Sequence, residues 1–265
     1  MSARIKDYGM TERNFGWVSR HDPKSRQYAI RSLLDQKNIE KKLTLWEEGT
    51  VLDQGSEGAC VGFAWTADLL AAPAQPKQQP EASFGNSLAL SFYKDAKKID
   101  EWPGEDYDGT SVLAGAKIMQ SMGFIGEYRW CFGINDVRDA VISEGPVVIG
   151  VPWFDGMYST KPGGLVKVGG KLVGGHAILI TGYNPKMRFG NTTCEVFRWR
   201  NSWGSDYGVN GSGWIKAKDL EMLLSNSGEA CVPMQRKIPV FEQEVKKNNE
   251  TKTNVFGLIK GLFCK

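Results

Sequence analysis

The sequence lacks the features that would indicate a metal protein, a disulfide-stabilised protein or a membrane protein. It has 2 histidines, and none of its 5 cysteines forms a CxxC pair, so no zinc site is predicted. No run approaches the about 18 consecutive apolar residues of a transmembrane helix, and the first residues lack the apolar stretch of a secretory signal. We therefore expect a soluble, cytoplasmic chain with free thiols, no metal and no cofactor.

A large excess of charge of one sign is also lacking. Lys+Arg total 33 and Asp+Glu total 30, which gives a formal net charge of +3. No basic stripe with interleaved aromatic residues is visible, so nucleic-acid binding is not predicted. The hydrophobic share of 41% and charged share of 24% are ordinary for a globular protein. A length of 265 residues suits one large domain or two packed lobes.

Four segments differ in character along the chain. Residues 1–50 are mixed, and their scattered aromatic residues predict that this stretch packs permanently on the body, so its removal should not raise activity. Residues 51–135 show helical patterns and residues 136–238 show strand patterns, which together predict an α+β fold with segregated layers. Residues 239–265 form a polar linker and a short apolar tail, a candidate docking segment too short to span a bilayer.

The clearest predicted elements are two helices and four strands. Apolar residues at nearly every position predict a helix buried on most faces over residues 60–72, and helical spacing predicts a second one over 110–122. Runs rich in β-branched and aromatic residues predict strands over 146–151, 177–183, 195–200 and 213–216.

Cys60 is the first candidate for chemistry. It follows a glycine-containing loop, residues 53–59, and begins the apolar helix. The N–H groups and dipole of a helix N-terminus stabilise negative charge, which predicts a Cys60 pKa well below that of a free thiol. A thiolate is a competent nucleophile. A lone cysteine is more often a small core residue, so the hypothesis needs further support.

His176 and the Asn201–Trp203 stretch supply that support. His176 follows two glycines and stands where an apolar strand begins, a position from which an imidazole can act as general acid and base. The amide of Asn201 can fix the imidazole tautomer, and the Trp203 indole can exclude water from that contact. A protonated His176 would also lower the pKa of the thiol.

These segments, in this order, resemble the papain-like cysteine peptidases. Residues 53–64 are similar to the family's active-site segment, Gly175-His176-Ala177 to its histidine segment, and residues 201–215 to its asparagine segment. His176 and Asn201 lie 116 and 141 residues after Cys60, close to the about 130–150 residues of the papain signature. The resemblance covers roughly residues 50–235.

The resemblance implies a two-lobed fold, with a helical lobe and an antiparallel β-rich lobe on either side of the active site. It implies that Cys60 is the nucleophile, His176 the acid–base and Asn201 the residue that orients the imidazole under Trp203. Gln54, six residues before the nucleophile, would join the backbone N–H of Cys60 in the oxyanion hole.

The sequence departs from the family at several positions. Glu57 stands where the family usually has a cysteine, so that disulfide cannot form, and Val61 replaces the usual aromatic residue. The resemblance assigns substrate contacts to four residues on the two sides of the cleft: Gly109, Thr110, Gly175 and Ala177. Three short stretches, residues 109–112, 127–130 and 229–231, are more similar to short bacterial and bacteriophage relatives. This similarity adds the virion or a host cytoplasm as alternative locations.

The remaining cysteines are predicted to be structural. Cys131, Cys194 and Cys231 are interpreted as buried thiols, with a Cys194–Cys231 disulfide as the less favoured alternative.

The predicted function is hydrolysis of peptide bonds in a peptide or protein substrate through a Cys60 thioester. Two alternatives remain open. The same chemistry would serve an isopeptidase, a peptidoglycan-peptide hydrolase or a transglutaminase-like acyltransferase, because substrate choice depends on subsites. The fold could otherwise be a non-catalytic structural or binding module, for example of a virus particle.

Overall fold

The computed structural model describes residues 14–104 and 106–241. Most of the predicted docking segment, residues 239–265, therefore lies outside the described residues, as does Cys264. The described chain combines helices with an antiparallel sheet, which confirms the predicted α+β class. No helix in these ranges is long and apolar enough to cross a membrane.

Six α-helices and seven strands are found in the described ranges, with short 3₁₀ turns at Pro23–Tyr28 and Asp155–Met157. In chain order the elements are α1 (Arg31–Leu34), β1 (Thr44–Leu45), α2 (Cys60–Leu70), α3 (Ala82–Lys97), α4 (Val112–Ser121), β2 (Glu127–Cys131), α5 (Ile134–Ser143), β3 (Val147–Phe154), β4 (Leu172–Phe189), β5 (Thr192–Arg200), β6 (Ser212–Lys216), α6 (Ala217–Ser225) and β7 (Glu229–Met234).

The strands form one antiparallel sheet in the order β2-β7-β3-β4-β5-β6, and β1 pairs with β4. The predicted strands correspond to β3, β4, β5 and β6, whose β-branched and aromatic residues suit a buried pleated surface. The sheet does not follow the chain division at residue 135, since β2 comes from before it. Two helices, α5 and α6, come wholly or mostly from after it.

The helical layer is built around α2. Ten of its eleven residues are buried, in agreement with the apolar run that predicted it, and it packs against α3, α4 and β4. Helices α3, α5 and α6 were not among the elements predicted from the sequence. The signal for α3 was nevertheless present, because Leu88, Phe92 and Ala96 recur at every fourth position and all three are buried.

The cysteines differ from one of the sequence interpretations. Cys131, Cys194 and Cys231 are all free thiols, so the alternative Cys194–Cys231 disulfide is wrong. Cys131 and Cys231 are buried as predicted, whereas Cys194 is partly exposed because it lies near the β4–β5 hairpin end, away from the core.

Candidate active site

Cys60 is the first residue of α2 and is fully buried. The loop before it ends at Ala59, whose backbone leaves the helical conformation, so the first turn begins at the cysteine. The Sγ atom accepts a hydrogen bond from the backbone N–H of Ala177 at 3.3 Å. The N-terminus of α2 therefore contacts β4 at Ala177, the residue that follows His176.

His176 and Asn201 are in direct contact. His176 lies on β4 opposite Val151 of β3, and Asn201 directly follows β5. The His176 Nε2 and Asn201 Oδ1 atoms are 2.8 Å apart, and both side chains are buried. The Trp203 ring centroid lies 4.9 Å from that of His176, and Trp153 packs on the imidazole at 4.7 Å. The amide thus holds the ring in an apolar enclosure.

Gln54 connects the loop before Cys60 to the loop that carries Asn201. Its Oε1 accepts a hydrogen bond from the Ser202 hydroxyl at 2.7 Å, and its backbone N–H donates to the Ser202 carbonyl at 2.9 Å. The Nε2 group donates to the Glu57 carbonyl at 2.7 Å and to the Asn14 carbonyl at 3.2 Å. The amide is therefore held with a donor directed into the cleft.

Residues 14–18, here called the cleft segment, run through the space between the predicted catalytic residues. The Phe15 ring lies edge-on to the imidazole of His176 at 6.0 Å and to Trp203 at 6.3 Å. Gly16 packs so tightly on Gly58 that a Cβ would lie 1.7 Å from the Gly58 carbonyl oxygen. Its backbone also contacts the Cys60 thiol.

The cleft segment contacts all the positions to which the resemblance assigned substrate binding, except Ala177, whose N–H is directed at Cys60. On one side, the Thr110 N–H donates to the Gly16 carbonyl at 2.9 Å, and the Thr110 carbonyl accepts from Val18 at 3.0 Å. Gly109 adjoins the same backbone, since a Cβ there would lie 2.7 Å from the Gly16 oxygen. On the other side, the Trp17 N–H donates to the Gly175 carbonyl at 3.0 Å.

The prediction of a low Cys60 pKa is wrong for this closed arrangement. Burial raises the pKa of the Cys60 thiol to about 11, and hydrogen bonds from the backbone of Ala177, Gly16 and Val61 only partly oppose that rise. The helix N-terminus acts in the predicted direction, but it cannot outweigh the loss of water around the sulfur. The cleft segment contributes to that loss by packing against the thiol.

Two features of the cleft have no signal in the local sequence. The aromatic residues of the first fifty predicted packing on the body, but nothing local indicated that Phe15 and Trp17 would enter the cleft. The Glu229 carboxylate accepts the Trp17 indole N–H at 2.7 Å across 212 residues of sequence, a contact that no local pattern predicted.

The chain is related in sequence to a viral protein. No family model matches it. The uncharacterized peptidase C1-like protein L477 of Acanthamoeba polyphaga mimivirus is 24% identical to it over 220 residues, which are 66% of this chain and 66% of that protein. The match therefore spans just under two thirds of the relative's length.

Two solved structures share the architecture. Xylellain, a cysteine protease from Xylella fastidiosa, superposes with a TM-score of 0.58 and 18% identity over 86% of this chain and 99% of its own. The bromelain protease of Ananas comosus, solved in complex with the E64 inhibitor, gives a TM-score of 0.51 and 15% identity over 71% of this chain and 94% of its own. The chain thus has the fold of the papain-like cysteine proteases, and its sequence is similar to that of a viral peptidase C1-like protein.

Proposed function

We propose that the chain is a cysteine peptidase in which Cys60, His176 and Asn201 carry out acyl transfer. The observation that carries the proposal is the buried 2.8 Å contact between His176 and Asn201, with the Cys60 thiol held one residue away by the Ala177 N–H. In the reaction, His176 takes the thiol proton while the sulfur attacks a peptide carbonyl carbon. The imidazolium then gives that proton to the leaving amine, and water hydrolyses the thioester.

The donors around Gln54 suit the charge that develops in this reaction. When the sulfur adds to the carbonyl, its oxygen becomes an oxyanion and needs donors that are already in place. The Gln54 Nε2 group donates to a backbone carbonyl of the cleft segment, that of Asn14, at 3.2 Å. A substrate carbonyl that replaced Asn14 would take the same donor, together with the backbone N–H of Cys60.

The cleft segment acts as an inhibitor in this proposal. It forms hydrogen bonds with Gln54, Thr110 and Gly175 and fills the space between them. A substrate can therefore bind there only after residues 14–18 leave. This reverses the expectation that the first fifty residues would not affect activity. A chain whose cleft segment is displaced should be more active than the intact chain.

The choice among substrates is left to the subsites. An isopeptidase, a peptidoglycan-peptide hydrolase and an amine-accepting transglutaminase-like enzyme would use the same three residues. Against a non-catalytic module, His176 contacts Asn201 and the N–H of the next residue, Ala177, donates to the Cys60 thiol, which supports acyl transfer. A cytoplasmic location stays a prediction. The comparisons do not support a bacterial or bacteriophage origin, because the curated relative is from a mimivirus.

The test uses the full chain carrying Gly16→Ala, which should displace the cleft segment because a Cβ has no room against Gly58. The variant is treated with an electrophilic peptide probe and then with a peptide library that includes cell-wall peptides and a primary amine acceptor. We expect labelling at Cys60 and cleavage, both absent after a further Cys60→Ala. If iodoacetamide reaches Cys60 in the Gly16→Ala chain but the probe labels nothing and no peptide is cleaved, the proposal is overturned.

A further inference from the structure

The carboxylate of Glu48 is buried and contacts three neighbouring strands. The side chain is only 4% exposed, and a glutamate is seldom buried to that extent unless it is paired. Its Oε2 atom accepts hydrogen bonds from Arg198 Nη2 of β5 and from the Ser212 hydroxyl of β6, both at 2.7 Å. Its Oε1 atom accepts one from the Thr181 hydroxyl of β4. The Arg200 Nη2 atom, at the end of β5, lies 3.0 Å from Oε2. One carboxylate thus links β4, β5 and β6.

The Arg200 side chain extends this network to residues 201–211, here called the asparagine loop. Its Nη1 group donates to the Asn210 carbonyl, and its Nη2 group donates to the Gly49 carbonyl at 3.3 Å. A Cβ at Gly211 would lie 2.8 Å from Nη1, so a glycine at this position leaves room for the guanidinium. The guanidinium therefore joins the backbone at residue 49 to the far end of the asparagine loop.

Asn201 begins the asparagine loop, and two neighbours fix the position of its backbone. Arg200 directly precedes it, and the Asn201 N–H donates to the Gly211 carbonyl at 2.9 Å. Gly211 in turn directly precedes Ser212, whose hydroxyl donates to Glu48. Both neighbours of Asn201 are therefore held by the same carboxylate, one through the Arg200 guanidinium and the other through Ser212.

The position of Asn201 bears on the proposed reaction, because its Oδ1 atom lies 2.8 Å from His176 Nε2 and orients the imidazole. A misplacement of about 1 Å can cost an enzyme about 10²-fold in rate. We propose that Glu48 is a positioning residue that holds the Asn201 amide against the imidazole. It acts through Arg200 and Ser212. This inference rests on the proposed function in one respect, namely that His176 transfers the protons of the reaction.

The contact between the imidazole and the amide provides a test that needs no peptidase activity. In the full chain, the ring N–H groups of the two histidines are observed by ¹⁵N NMR, and the exposed His21 serves as the internal reference. Because His176 is buried and its Nε2 faces an acceptor, we expect the Nε2 proton to exchange slowly with water. Glu48→Gln should speed this exchange at least about ten-fold, since the charge that holds Arg200 is gone.

Asp136→Asn is the matched control, because Asp136 is likewise a buried carboxylate bound to an arginine. It lies on α5 and accepts hydrogen bonds from Arg31 Nε at 2.7 Å and from the Phe132 N–H at 2.9 Å. Its loss should destabilise the chain but leave the exchange rate of the His176 proton within about two-fold of the unmodified chain. Equal increases in both variants, or no increase in folded Glu48→Gln, would overturn the inference.

Ser212→Ala replaces Glu48→Gln if circular dichroism shows that the latter does not fold. This substitution removes one hydroxyl donor from the carboxylate and leaves the charges of Glu48 and Arg200 paired. We expect it to speed exchange of the His176 proton at least about three-fold, because one of the two supports of the asparagine loop is weakened. An exchange rate equal to that of the Asp136→Asn control would contradict the role of Glu48.

Cleavage of a peptide by the Gly16→Ala chain gives a second, separate readout. We expect Glu48→Gln to lower kcat at least about three-fold, by no more than Asn201→Ala does, and to leave KM within about two-fold. Once Asn201→Ala is present, adding Glu48→Gln should lower kcat by less than about two-fold, because its effect passes through the amide. A full additional loss in that double variant would overturn the inference. Cleavage of no peptide would count against the proposed function, and the exchange rates would then decide the role of Glu48.

Discussion

Two opposing influences act on the sulfur of Cys60. The N–H groups at the start of α2 and the Ala177 N–H favour the thiolate, whereas burial disfavours it and raises the pKa to about 11. At pH 7 only about one thiol in 10⁴ would then be ionised. Departure of the cleft segment would hydrate the sulfur, so we expect residues 14–18 to control the reactivity of Cys60.

Opening the cleft should therefore lower the Cys60 pKa. In the double variant Phe15→Gly, Trp17→Gly, water reaches the thiol, and the stabilising hydrogen bonds act without the full cost of burial. The pH midpoint of Cys60 alkylation by iodoacetamide should fall by at least about two units. The midpoint, rather than the rate at one pH, distinguishes a lower pKa from simple access. An unchanged midpoint would show that the cleft segment does not set the pKa.

The residues proposed to carry out acyl transfer should not be equally important. Cys60→Ala removes the attacking atom and should abolish turnover, whereas Asn201→Ala removes only the 2.8 Å contact that orients His176. General acid–base catalysis typically contributes about 10²–10⁴-fold to the rate. We expect Asn201→Ala to lower kcat/KM by a smaller factor than this. Equal and complete loss in both folded variants, measured in the Gly16→Ala background, would contradict the assigned roles.

At the level of elements, the cleft segment is held by backbone contacts that tolerate no extra atom at Gly16. A Cβ on residue 16 would lie only 1.7 Å from the Gly58 carbonyl oxygen. Gly109 packs against the backbone of Gly16 as well. These neighbours are backbone, so they cannot move aside as a flexible side chain would. The fit of the segment therefore depends on one glycine.

We expect Gly16→Ala to increase Cys60 alkylation at pH 7 by at least ten-fold and to raise peptide cleavage in parallel. The matched control is Gln27→Ala, on the exposed 3₁₀ turn Pro23–Tyr28, which should change neither. An unchanged alkylation rate in Gly16→Ala would show that residues 14–18 do not close the cleft.

At the level of the whole molecule, one buried arginine ties the helical layer to the sheet. Arg236, which follows β7, binds the Asp68 carboxylate of α2 through Nε and Nη2, each at 3.1 Å. Its Nη1 group donates to the Glu144 carbonyl after α5 at 3.0 Å. Burial raises the pKa of Asp68, and the Arg236 charge opposes that rise. Both side chains are almost completely excluded from water.

Arg236→Ala should lower the free energy of unfolding by about 3–5 kcal/mol, the usual cost of leaving a buried charge without its partner. Urea denaturation measures this loss. Adding Asp68→Asn should recover part of it, because the uncompensated carboxylate is then gone. A double variant as unstable as the sum of the two single variants would argue that the residues are not coupled.

The sequence by itself determined the α+β class and the candidate catalytic residues. Local patterns predicted the apolar helix α2 and the β-branched strands β3 to β6. The order of Cys60, His176 and Asn201 is likewise visible in the sequence, so none of these predictions required the tertiary structure. Helix α3 was equally predictable, although it was overlooked, because its buried apolar residues recur at helical spacing in the sequence.

Only the tertiary structure decided which segment occupies the cleft and how deeply the Cys60 sulfur is buried. The contact between Trp17 and Glu229 joins residues 212 positions apart, and no local pattern predicts which distant carboxylate an indole will meet. The Cys60 pKa was misjudged for a related reason. A helix N-terminus is visible in the sequence, but burial of the sulfur depends on which segment lies across it, and burial has the larger effect on the pKa.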